Sequence, residues 1–189
     1  MLNSLVGIIA SSGGAAGGGS YESIASATGT GSSGTITFSS IPSTYVALQI
    51  RTMQRSTGTT GALTVRFNGD TGTNYAYHTL YGDTASALAT GVTGATFILA
   101  GVTTTSNDAA NLMGVSIIDI HSYASTTQNK TVRSLAGKDV NTTSINDNRI
   151  NLNSGVWLNT AAITSVSVNL SANSFSTDSV VSLYGIKGA

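Results

Sequence analysis

Two histidines, His78 and His121, are the residues here best suited to proton transfer. A serine-hydrolase triad gathers a nucleophile, a base and an orienting carboxylate in space. Asp119 and His121 lie two residues apart, so in a strand both side chains fall on one face. Serines abound, so any fold places one near a histidine, and no Gly-x-Ser-x-Gly elbow occurs. The expected role of each histidine is a cross-strand hydrogen bond or a rim position, with no catalytic residue. Glycoside hydrolysis needs paired carboxylates. The chain has eight acidic residues and none in a recognisable frame, so a polysaccharide hydrolase is the weakest reading.

The stretch Asn68-Gly69-Asp70-Thr71-Gly72-Thr73-Asn74 has the look of a calcium loop. Calcium takes several oxygen ligands, commonly with more than one carboxylate. This stretch carries one carboxylate, and Thr79 stands where an EF-hand would need its closing Glu. A hairpin turn, with Asn and Gly in left-handed conformations, is the expected structure. The glycine run near the N-terminus lacks a following Gly-Lys-Ser/Thr and is not a phosphate loop. There is no cysteine, which excludes disulfides and thiolate metal sites. Neither a metal nor a cofactor is expected.

The richest aromatic segment is Asn74-Tyr75-Ala76-Tyr77-His78-Thr79-Leu80-Tyr81. Tyr75, Tyr77 and Tyr81 share strand parity and line one face. Tyrosine couples an apolar ring to a polar tip, so such a row suits core packing, a subunit interface or a sugar ring. Trp157, the single tryptophan, follows a turn at Ser154-Gly155 and reads as a core or interface anchor. These four aromatics are the candidate interface or glycan contacts.

The elements that must position these residues are strands. Val46, Leu48 and Ile50 alternate with polar or small residues, as do Leu63, Val65 and Phe67, and Val166, Val168 and Leu170. Each set reads as a strand with one buried face. Thr96–Leu99, Val115–Ile120 and Val180–Tyr184 read as strands buried on both faces or at their centres. Thr35–Phe38, Tyr75–Tyr81, Thr131–Leu135 and Arg149–Leu152 complete roughly ten strands, separated by Gly- and Asn-rich turns. Thr103–Asp108 and Asn141–Asn148 read as long exposed loops. With one Glu and three Lys, the usual helix formers are scarce. The expected fold is all-β: an antiparallel β-sandwich, jelly-roll-like, over residues 20–189, with an extended N-terminal arm over residues 1–19.

That arm holds Leu5, Val6, Ile8 and Ile9, followed by Ser11-Ser12-Gly13-Gly14-Ala15-Ala16-Gly17-Gly18-Gly19-Ser20. An apolar peptide on a glycine tether calls for a partner surface, so these four residues are the expected partner-anchoring set. No basic stretch precedes them, and the apolar run is too short to span a bilayer, so neither a secretory signal nor membrane insertion is expected. Charged residues make up 8% of the chain and the net charge is zero. That argues against nucleic-acid binding, which needs a basic stripe. With 40% hydrophobic residues the chain is nonetheless no disordered polymer.

Several motifs carry a resemblance. Tyr21-Glu22-Ser23-Ile24-Ala25 opens the body, and Phe38-Ser39-Ser40-Ile41-Pro42-Ser43-Thr44-Tyr45 leads into Leu48-Gln49-Ile50-Arg51. Arg66-Phe67-Asn68-Gly69-Asp70, Asn129-Lys130-Thr131-Val132-Arg133-Ser134 and Leu183-Tyr184-Gly185-Ile186-Lys187-Gly188 follow. As a set they resemble small structural proteins of tailed bacteriophages, of the tail-fibre or capsid-decoration type, over about residues 21–188. The start, Gly7-Ile8-Ile9-Ala10-Ser11-Ser12, is similar too. The resemblance implies a non-enzymatic β-sandwich on the virion surface, a homotrimer, joined to capsid or tail proteins through its N-terminal arm. It carries no catalytic residues. Host adhesion through a surface glycan is the alternative role.

Overall fold

The computed structural model describes residues 20–142 and 147–188. The arm residues Leu5, Val6, Ile8 and Ile9 lie outside the described residues. The described chain forms twelve strands and no helix. They are β1 (Tyr21–Thr28), β2 (Thr35–Phe38), β3 (Ala47–Gln54), β4 (Ala62–Phe67), β5 (Tyr75–Asp83) and β6 (Ala87–Ala95). Then come β7 (Ile98–Val102), β8 (Gly114–His121), β9 (Lys130–Lys138), β10 (Arg149–Trp157), β11 (Val166–Leu170) and β12 (Val180–Ile186).

The strands make two antiparallel sheets, as the alternation predicts. Eight run in the order β1-β12-β3-β8-β9-β10-β5-β6 and four in the order β2-β11-β4-β7. From β1 to β5 the chain crosses between sheets at every connection, the habit of a rolled sandwich. The core lies between the sheets. Leu48 and Ile50 of β3 meet Leu63, Val65 and Phe67 of β4 and Val166 and Val168 of β11, all fully buried. Val46 falls just before β3 and is exposed, so its set begins one step later than the alternation implies.

β8 departs from the expected double-sided burial. Ser116, Ile118 and Ile120 face the core, while Val115 and Ile117 face outward and are about half exposed, at 54% and 44%. The run is apolar on both faces, yet only its inner face is covered by the smaller sheet. The loop at Thr103–Asp108 is also more enclosed than its polarity suggests. Thr103 and Thr104 are buried, and Thr104 Oγ1 donates to Gln54 O and Leu112 O. The Arg55 guanidinium clamps the next turn by donating to Asp108 O, Ala109 O and Leu112 O at 2.6–3.1 Å.

β1 and β6, the two edges of the large sheet, escape the alternation rule. β6 reads Ala-Leu-Ala-Thr-Gly-Val-Thr-Gly-Ala and is exposed on both faces over eight of its nine residues, so it has no buried side to create a pattern. Each edge carries a register irregularity, at Ser23/Ala25 and at Tyr75/Tyr77. Such bulges twist an edge and discourage further strand addition.

Candidate functional site

The turn at Asn68–Asn74 is a structural clasp. Asn68 and Gly69 take φ values of 52° and 68°, the left-handed pair expected of the turn. Asn68 Oδ1 accepts from the backbone N–H groups of Thr164 and Ser165, and its Nδ2 donates to Ala162 O. Asp70 is then fully engaged. Its Oδ1 accepts from Gly72 N at 2.8 Å, and its Oδ2 accepts from Asn74 Nδ2 at 2.9 Å and Trp157 Nε1 at 2.7 Å. The Asn74 and Trp157 donors hold its carboxyl below the ordinary aspartate range, against a smaller upward push from burial. Among the described residues no group of three or more His, Asp or Glu side chains could hold a metal.

Tyr75 and Trp157 belong to the core, one of the roles expected of them, and their interface-or-glycan role is corrected accordingly. Both are buried, stacked on one another with centroids 6.2 Å apart, and both touch Phe67. The Tyr75 hydroxyl accepts from Phe67 N and donates to Asp70 O, each at 3.1 Å. Burial pushes its pKa up to about 12. Parity placed Tyr75, Tyr77 and Tyr81 on one face correctly. That face is the inner one, where Tyr75 and Thr79 are buried and Tyr77 and Tyr81 are half-buried. Tyr77 stacks on Phe97 at 6.0 Å, and Tyr81 lies 3.7 Å beneath the Arg149 guanidinium carbon; both remain partly exposed.

Asp119 and His121 do share the outer face of β8. Asp119 accepts from Gln49 Nε2 and pairs with Arg133, each at 2.8 Å. Burial pushes its pKa up, and the Gln49 and Arg133 donors outweigh that and hold it below the ordinary value. The carboxylate is thus committed across strands to Gln49 and Arg133. His78 stands on β5, with its ring against Gly91 of the edge strand.

A feature that the sequence reading missed is the outer face of the large sheet. The register aligns Arg51, Ile117, Leu135, Leu152, Leu80 and Ala89 in one row across six strands. The adjacent row is Met53, Val115, Gly137, Ile150, Gly82 and Ala87. The large apolar members of both rows keep 43–59% of their surface exposed. A groove of about 950 Å³ runs along them, lined by the apolar Val115, Ile117, Leu135 and Ile150 and by charged residues that include Arg51, Asp83, Lys138, Asp139 and Arg149. The next row holds Gln49, Asp119, Arg133, Ser154 and His78. Exposed apolar residues scattered singly are ordinary on proteins, whereas contiguous patches of this extent mark interaction sites. The signal present in sequence is the run of apolar residues on both parities of β8, a pattern that double burial would write equally well.

Comparison with protein-family models, with curated proteins and with solved structures finds no match for this chain.

Proposed function

We propose that the chain is a non-enzymatic structural protein of a tailed-phage virion: a surface-exposed, oligomeric decoration or fibre protein, for which the resemblance implies a trimer. Its N-terminal residues Leu5, Val6, Ile8 and Ile9 attach it to capsid or tail. The observation that carries this reading is the apolar outer face of the large sheet, built on a body with 8% charged residues. A protein that works alone in water seldom leaves two rows of aliphatic side chains open across a sheet; an assembling component does so until it assembles. The motif resemblance supplies the kind of assembly.

Immunogold electron microscopy of intact virions, with antibody against residues 20–189, tests the reading. Label over the head indicates a decoration protein, label at the tail end a fibre protein, and unlabelled particles refute both. Removing residues 1–19 should abolish attachment and leave a folded body. Full occupancy by the truncated protein would show that the arm is not the anchor.

Host adhesion through a glycan is the second reading. The partly exposed Tyr77–Phe97 pair, with Arg66 5.7 Å from the Phe97 ring, is the observation that favours it. Absence of any hit on a glycan array counts against it.

A further inference from the structure

We infer that the outer face of the eight-stranded sheet, from β3 to β6, is the surface through which two copies of this chain meet. The inference rests on the structural-component reading and names the contact between copies, as a pair in place of the trimer that the resemblance implies.

The extent of the face suits a second copy. Six strands about 4.8 Å apart span about 29 Å, and four outward positions per strand span about 26 Å. The footprint is therefore about 750 Å², of which the two apolar rows supply about half and the polar rows the margin, close to the roughly 800 Å² per partner that a standard stable interface buries.

Its relief is complementary to itself. Ile117, Leu135, Leu152 and Leu80 form a ridge across four neighbouring strands. Beside it, Gly137 and Gly82 line the groove and leave pits between the projecting side chains of Val115 and Ile150. A two-fold arrangement sets leucines of each copy's ridge into the glycine pits of the other, the self-complementarity an isologous contact requires. Such a contact joins chains in pairs, where the resemblance implies a trimer.

Its charge permits close approach. The acidic group of the neighbouring row, Asp119, is already paired with Arg133 within the chain. Among the described residues of these rows, no uncompensated cluster of one sign stands to repel an identical face. Depletion of charge at an apolar centre with a polar margin is the usual anatomy of such contacts.

The test is the mass of the full-length protein in solution at micromolar concentration, by light scattering coupled to size exclusion, beside the double variant Leu135→Glu, Leu152→Glu. Both leucines are about half exposed but face each other across β9 and β10, where two carboxylates repel, so circular dichroism checks that the fold survives and either single variant serves if it does not. Leu88→Glu is the control, because Leu88 pairs with Tyr81 on the opposite face. The expected result is a dimer for the wild type and for Leu88→Glu, and collapse of the double variant to one 19.1 kDa chain. A wild type of 19.1 kDa overturns the inference. If residues 5–9 of that monomer are slow in hydrogen exchange and the double variant makes them fast, its own arm occupies the face instead. A trimer overturns the two-fold pairing. A double variant that stays oligomeric also overturns the inference, because the copies then meet elsewhere. Particle labelling is independent of these masses. Labelled virions with a monomeric protein defeat the interface alone, and unlabelled virions with a face-dependent dimer defeat the virion reading alone.

Discussion

Replacing Asp70 with Asn decides between the two uses of the Asn68–Asn74 turn. In the structure the Asp70 carboxylate receives three donors from two sides, Gly72 N on Oδ1, and Asn74 Nδ2 and Trp157 Nε1 on Oδ2. An amide offers one acceptor oxygen. Whichever way the introduced amide turns, its NH2 group faces either the Gly72 N–H or the Asn74 and Trp157 donors. A hydrogen bond to a charged group contributes about 1.5–3 kcal/mol, and the turn is partly solvated, so the expected loss is about 1–3 kcal/mol. For a chain of this length that lowers Tm by roughly 2–12 °C. Trp157 is the single tryptophan and bonds directly to Asp70, so its fluorescence reports the transition without labels. The substitution should also change the acid limb. The Asp70 pKa is lower in the folded than in the unfolded chain, so the unfolded chain binds the proton more readily. Its stabilisation is complete above the unfolded value of about 3.9 and is lost as pH falls through the folded value. D70N should flatten that part of the stability curve. A loss below about 0.5 kcal/mol would refute the clasp, since that is the scatter of ordinary surface substitutions. A rise in wild-type Tm on adding calcium would refute it too, because the carboxylate would then be free to take a cation.

Lys130 is fully buried and donates to Ser125 O, Gln128 O and Thr160 O at 2.6–3.0 Å. Lys130→Met keeps the stem and strands three carbonyls, so urea unfolding should register a loss of about 2–4 kcal/mol; an unchanged midpoint would mean that water replaces the ammonium. Gly155 lets β10 approach β7, because a Cβ there would stand 2.4 Å from Ile98 Cγ2. Gly155→Ala should cost about 1–3 kcal/mol by overpacking, and adding Ile98→Ala should recover part of it; strict additivity of the two losses would disprove the contact. Tyr75 has its pKa raised to about 12, so its contribution is complete below pH 10 and is lost as pH rises toward 12. Burial also raises the pKa of Tyr45 and Tyr123, so phenolate absorbance should show several tyrosines ionising late, and a smaller late amplitude in Tyr75→Phe identifies the share of Tyr75.

Sequence by itself determined the class of this fold and most of its strands. Period-two alternation needs only that one face be buried, and Leu48/Ile50, Leu63/Val65/Phe67 and Val166/Val168 report that burial residue by residue. Asn68-Gly69 announced its turn because few residues accept positive φ. What sequence could not carry was which of two apolar faces is covered. Parity put Tyr75 with Tyr77 and Tyr81, and only tertiary packing against Phe67 and Trp157 buries the first while the others stay partly open. Ile117 and Ile118 are chemically equivalent neighbours; the smaller sheet encloses Ile118 and leaves Ile117 facing out. Edge strands β1 and β6 stayed hidden because a strand without a buried side writes no pattern. Asp70 meets Trp157 across 87 positions of chain, a distance no local rule spans. Local periodicity is a property of the backbone and is legible in order, whereas coverage depends on how two sheets of unequal width are laid together, and that is decided only when the chain closes.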